Sequence, residues 1–166
     1  MAEENLVTET SVKYDGIFDF KQLYSLMTDL AMSMGYTIEE KKYKQKESPE
    51  GKEVEVEWWC TKDVDDYTRF KIILRILILG MREVQAKKGE LKVRVNEGSI
   101  QVLIKGIIVT DYANRWETHP ILKLFKGIYD RYFFKSTFER YKKRVYEEAY
   151  GFENEIKSFL NLRRFM

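Results

Sequence analysis

Groups able to do acid, base, nucleophilic or metal chemistry are sparse: the 166 residues contain one His (His119) and one Cys (Cys60). An imidazole just before Pro120 could serve as a general base. No nucleophile or second histidine stands at a recognisable spacing from it, so a capping or surface place at a helix start is preferred. Cys60 alternates with Trp58 on what reads as the inward face of a strand and has no resolving or metal-binding partner, which makes it a small buried hydrophobe. Asp63, Asp65 and Asp66 present the oxygen ligands that calcium or magnesium takes, but without the glycine and distal glutamate of a calcium loop they read as a solvated turn. Carboxylates are plentiful enough for two-acid hydrolysis, yet nothing in their spacing selects a pair. Neither a glycine-rich phosphate loop nor a zinc-ligand spacing is present. The expectation is a protein with no catalytic residues, no metal and no cofactor.

The segment from Arg131 to Arg144, RYFFKSTFERYKKR, sets six basic residues (Arg131, Lys135, Arg140, Lys142, Lys143 and Arg144) against Glu139 alone, interleaved with aromatics. That composition suits contact with RNA or a ribosome surface. Glu147 and Glu148 stand one helical turn beyond Lys143 and Arg144, however, and the aromatics fall at core spacings, so a solvated helix face ranks ahead of RNA binding.

The elements that must position these groups divide into strand-like alternation over residues 36–112 and helical periodicity over 120–162. A first strand is expected at Leu6–Tyr14, ending at an Asp15-Gly16 turn. A helix follows with signals at both ends: Asp19 with Gln22 as the N-terminal cap, Phe18 and Leu23 as a hydrophobic staple, and Gly35 as the left-handed stop. Ser48-Pro49-Glu50-Gly51 reads as a hairpin turn. Pairing positions that sum to 99 sets Lys46 opposite Glu53, Lys44 opposite Glu55, Lys42 opposite Glu57 and Glu47 opposite Lys52, and turns Val54, Val56, Trp58 and Cys60 inward with Tyr43. A strand from Asp66 to Leu79 ends apolar on both faces. Breaks are expected at Gly80, at Lys87-Lys88-Gly89 and at Asn96-Glu97-Gly98, with short strands between and a last strand at Ser99–Tyr112 carrying a bulge at Gly106. Pro120 opens one helix, and Ser136 with Glu139 caps a second, on which Phe138, Val145, Phe152 and Phe159 recur every seven residues.

Length and composition fit a single domain spanning 1–166, with 44% hydrophobic and 34% charged residues. An unpaired cysteine and the acidic start Met1-Ala2-Glu3-Glu4 show no secretory signal, so a cytoplasmic location is expected. The longest apolar run, Ile72 to Leu79 with Arg75 inside it, is too short to cross a bilayer, and no membrane insertion is expected. The net charge of +2 gives no global bias toward nucleic acid or membrane.

Gly16-Ile17-Phe18-Asp19-Phe20, Glu39 to Lys44, Glu55-Val56-Glu57-Trp58, Asp66-Tyr67 with Phe70-Lys71-Ile72, Lys105-Gly106 with Asp111-Tyr112, Trp116-Glu117 and Tyr129-Asp130-Arg131-Tyr132 form a set of patterns spread over nearly the whole chain. In these the chain resembles an uncharacterised family of small archaeal proteins. These are fold-length patterns, and the resemblance implies no activity. More coarsely, a strand, a helix, six further antiparallel strands and a long C-terminal helix is similar to the element order of helix-grip domains, which include START-like lipid carriers and pollen-allergen-like proteins. The chain departs from them in having one N-terminal helix and an extra helix at 120–133.

The expected fold is therefore α+β: a curved antiparallel sheet of about six or seven strands against a long C-terminal helix. The leading functional expectation is a non-catalytic binding protein holding an apolar or amphipathic small molecule between sheet and helix, lined by Trp58, Cys60, Phe70, Ile72, Leu74, Val102, Ile104, Phe152 and Ile156. The alternative is an assembly module, a homo-oligomer or a protein partner's docking site, using Ile73, Leu77, Leu79, Leu162, Phe165 and Met166.

Overall fold

The computed structural model describes residues 2–162, and its elements run β1 (Glu3–Phe18), α1 (Phe20–Ser33), β2 (Thr37–Ser48), β3 (Gly51–Asp63), β4 (Thr68–Lys88), β5 (Leu91–Thr110), α2 (Arg115–Thr118), α3 (Pro120–Ile128), a π-helical turn (Tyr129–Phe133) and α4 (Phe134–Leu162). The fold is α+β. One open antiparallel sheet has the strand order β1-β5-β4-β3-β2, so the first strand lies beside the last.

The β2–β3 hairpin keeps the expected register. Lys46, Lys44 and Lys42 lie opposite Glu53, Glu55 and Glu57, and the ladder shifts only at Lys41. The charges then interlock on the diagonal: Lys42 Nζ is 2.7 Å from Glu55, while Glu57 is held by Arg75 at 2.8 Å and by the Trp59 indole N–H at 2.9 Å. The Trp59 hydrogen bond, with Arg75 acting the same way against burial, holds the Glu57 carboxyl below its ordinary range. Val54, Val56, Trp58 and Cys60 are buried as the alternation requires. Tyr43 is half-exposed despite sharing that face, because β2 is the edge strand.

The described residues form five strands, not six or seven. The expected break at Gly80 is a bulge: Gly80 takes a positive φ of 62°, the ladder slips between Leu79 and Arg82, and β4 continues to Lys88. Asn96-Glu97-Gly98 is not a turn, since its residues pair with β4 on one side and with Gly16–Phe18 of β1 on the other. A Cβ on Gly51 would lie 2.7 Å from the Gly80 carbonyl carbon, so backbone meets backbone where the β2–β3 turn reaches the bulge. β1 runs through Asp15-Gly16 to Phe18 because these residues pair with Ser99 back to Asn96 of β5. Beyond Asn96 the β4–β5 hairpin extends as two strands alone, Val84–Lys88 against 91–95.

Gly106 is not a bulge either. Inward alternation runs unbroken from Ile100 to Ile108, and the slip lies on the neighbouring strand, between Leu6 and Thr8. Gly106 instead seats a helix: a Cβ there would come within 2.8 Å of Val145 and 3.5 Å of Ala149.

α1 has both expected ends. Asp19 accepts from the Gln22 N–H at 3.0 Å, Phe18 and Leu23 are fully buried, and Gly35 (φ 85°) closes a Schellman arrangement through Tyr36 N–H to Ala31 O and Gly35 N–H to Met32 O. Asn96 adds a tie, accepting from Phe20 N–H at 3.2 Å. The expected cap at Ser136 and Glu139 is not used, because the helix never stops: Phe134 N–H bonds back to Tyr129 O, a five-residue step that carries α3 through the π turn into α4. The 29-residue α4 is roughly 44 Å long. Its buried stripe Val145, Ala149, Phe152, Ile156 and Leu160 meets β1, β5 and α1 in one core with Trp58, Phe70, Ile72 and Leu74. Lys62 donates to both Glu148 oxygens (2.8 and 3.0 Å) and to Met34 O, and Tyr36 O–H also donates to Glu148, joining β3, α1 and α4 at one point.

Gly106→Ala is expected to lower unfolding free energy by about 1–3 kcal/mol in urea melts, since the added methyl must push Val145 off the sheet. A loss below about 0.5 kcal/mol would mean that the helix seat relaxes freely.

Candidate functional site

The nine residues expected to line a ligand space do come together, and each is essentially excluded from solvent within the core. A groove of about 280 Å³ opens elsewhere, at one end of the sheet–helix layer, and uses none of them. Its walls come from four places. β1 supplies Glu3 and Asn5, β5 supplies Thr110, the β3–β4 turn supplies Tyr67, and the π turn and α4 supply Asp130, Phe134, Lys135 and Phe138.

Tyr67 is the centre of this end. The turn that presents it is shaped by Asp65, whose Oδ1 accepts from the Tyr67 and Thr68 N–H groups at 2.9 and 2.6 Å while Oδ2 accepts from Tyr141 O–H at 2.8 Å. The Asp63-Asp65-Asp66 segment is thus a turn, with Asp63 paired to Arg69. Among the described residues no group of three or more His, Cys, Asp or Glu side chains is placed to hold a metal ion. The buried Tyr67 ring meets Trp116, Tyr129 and Phe134 edge-on at 5.3–5.9 Å between centroids. Its hydroxyl donates to Asp130 Oδ1 at 3.0 Å. Burial, and then the Asp130 carboxylate, push the phenol well above its ordinary value against the opposing hydrogen bond with Thr110. Tyr67 therefore keeps its proton throughout the physiological range and acts as a fixed hydrogen-bonding group, not as a base.

The chain after β5 is folded back onto this cluster. Asp111 is buried with φ 49°, accepts from the Trp116 N–H at 3.3 Å, and lies 3.9 Å from the Lys126 ammonium. Thr68, opposite Thr110 across the β4–β5 ladder, buries a hydroxyl with no hydrogen-bond partner among the described residues.

The other expected residues lie apart from the groove. Cys60 is buried, and burial pushes its thiol up to about 12. His119 is exposed, and only its backbone caps α3, through Lys123 N–H to His119 O. Ile73 is partly buried on the outer sheet face, and Leu77 and Leu79 are exposed there. Phe165, Met166 and the Leu162 side chain lie outside the described residues. Of the basic set, Lys142, Lys143 and Arg144 pair with Glu139, Glu147 and Glu148 at 3.3, 3.9 and 3.3 Å, as a solvated face would. Arg131, Lys135 and Arg140 are exposed. The expectation that the aromatics of this segment sit at core positions fails for Tyr132 and Phe133, which are largely exposed because the π turn offsets them from the buried Phe134.

Reading residues for chemistry alone missed Tyr67, Thr110 and Asp130. A signal was present: Asp66-Tyr67, Asp111-Tyr112, Trp116-Glu117 and Tyr129-Asp130-Arg131-Tyr132, distant in sequence, all converge on this end. No protein-family model, curated protein or solved structure matches the chain.

Tyr67→Phe is expected to cost about 1–2 kcal/mol at neutral pH, since Asp130 and Thr110 lose a buried partner. Because the folded pKa of Tyr67 is raised, its contribution is complete below the unfolded value of 10.0 and is lost as pH rises above it. The stability gap between wild type and variant in urea melts should therefore narrow above pH 10, and a gap that widens would contradict the assignment.

Proposed function

We propose that the chain is a non-catalytic, helix-grip-like binding protein whose ligand is a small amphipathic molecule seated at the end of the sheet–helix layer. The single observation that carries this is the groove itself, where Phe134 and Phe138 offer apolar surface and Tyr67, Thr110, Asn5 and Asp130 offer hydrogen-bonding groups. The strand order, with β1 beside β5 and α4 across both, supports the helix-grip comparison. At about 280 Å³ the groove lies just below the usual range of ligand sites, ~300–1,000 Å³, so a compact ligand fits better than a long acyl chain. An amine or alcohol head would meet Asp130 and the Tyr67 hydroxyl while an aromatic or branched body lies on the two phenylalanines. A fragment screen of aromatic amines, alcohols and acids read by ligand-observed NMR tests this. Hits are expected for the wild type and not for Asn5→Trp, which fills the groove from the edge strand. Hits that persist in Asn5→Trp, or none in the wild type, would refute the reading.

A second reading, assembly through the outer sheet face, is favoured by Leu77 and Leu79, 37% and 45% exposed there. Leu77→Lys with Leu79→Lys should leave the thermal melt intact and lower the mass seen by light scattering. A wild type that is monomeric at every concentration removes this reading.

A further inference from the structure

α3 is built inside out. An amphipathic helix on a soluble domain turns its apolar side to the core, yet no residue of α3 is buried. Ile121, Leu124, Phe125 and Ile128 follow one another at three- and one-residue steps on a single side, and all are about half-exposed or more, Leu124 at 72%. The π turn extends that side. Its slower rotation brings Tyr132 (71% exposed) and Phe133 (67%) into line with Ile128 while returning Phe134 to the core. The opposite side is anchored to the body: Lys126 reaches toward buried Asp111, Tyr129 packs on Tyr67 and Trp116, and Asp130 holds the Tyr67 hydroxyl. The apolar arc thus faces outward because its back is fixed.

The charge around it is equally one-sided. Residues 120–135 contain four Lys or Arg (Lys123, Lys126, Arg131 and Lys135) and one acid, Asp130, a net of +3 in a chain whose total is +2. Lys123, Arg131 and Lys135 are exposed along the same rod, at four-residue multiples. No helix of the described residues is long and apolar enough to cross a membrane. An outward ridge of leucine, isoleucine and aromatic side chains bordered by cations is the pattern of a helix that lies in a lipid interface.

We propose that the α3 and π-turn segment is a peripheral docking surface for an anionic lipid bilayer. The ridge enters the headgroup and acyl boundary while Lys123 and Arg131 meet lipid phosphates. A second copy of the chain is a poorer occupant, because it would bring one +3 segment against another. RNA is poorer too, since Ile121, Leu124 and Ile128 gain nothing from a phosphate backbone. The surface is separate from the ligand groove and stands whether or not that groove is occupied.

Vesicle co-sedimentation of the full chain tests this, using phosphatidylcholine alone and phosphatidylcholine mixed with phosphatidylglycerol. Wild type should partition at least about tenfold better onto the anionic vesicles, with the advantage shrinking as salt rises. Leu124→Glu with Phe125→Glu should reduce partition about tenfold or more while the circular dichroism melt is unchanged, because both side chains are already in solvent. Phe133→Trp should shift its fluorescence to the blue on anionic vesicles and be quenched by brominated acyl chains. The proposal is overturned if wild type binds neither vesicle. It is equally overturned if the double glutamate variant binds undiminished, which would leave charge alone, if RNA displaces the vesicles, or if the variant's only effect is to dissolve a dimer.

Discussion

The groove end of the molecule depends on one close approach, the seating of α4 against β5 at Gly106. A Cβ there would meet Val145 at 2.8 Å and Thr8 at 3.0 Å, so glycine is what lets Val145 reach the strand backbone, and this contact sets how closely the helix approaches the sheet. The heptad stripe downstream then meets Trp58, Phe70 and Ile72 in a continuous core. Upstream, the same rod is carried past the end of the sheet, where its first turn becomes the wall of the groove. The polar junction of Lys62, Glu148 and Tyr36 adds the rotational constraint, since Glu148 must point at β3 and at the end of α1. A salt bridge in that half-buried position contributes more to geometry than to net stability.

The parts of the fold legible in the sequence are those governed by short-range rules. The β2–β3 register was readable because opposite charges alternate with inward apolar residues, so that a one-residue slip would bury glutamates. The ends of α1 were readable because Asp19, Gln22 and Gly35 each satisfy a backbone demand local to the helix end. Gly80, Gly98 and Gly106 misled because a glycine has two meanings, a turn or a close approach, and only the neighbouring strand or helix decides between them. Ser136 misled for a related reason: a capping residue ends a helix only when the chain has cause to stop, and the burial of Phe134 and Phe138 gave it cause to continue.

The groove and the exposed ridge were beyond such rules. Tyr67 and Asp130 are 63 residues apart, and their hydrogen bond exists because β3, β4 and α4 converge at one end of the sheet. The hydrophobic periodicity of residues 120–133 is visible in the sequence, but periodicity alone does not say which side of the helix meets the body. Which side of a helix meets the body is set here by Lys126, Tyr129 and Asp130, whose partners lie on other elements, and by a π turn that no residue pattern announces.

Among the described residues the two-stranded extension of β4 and β5 beyond Asn96 has no third strand. A lone pair of strands is marginal in water, so this tip is the least cooperative part of the sheet and opens without disturbing the core. Gly89, with open space where its side chain would be, is therefore a natural splice point, a place where an affinity tag or a whole reporter domain can be threaded into the chain at little cost to the fold.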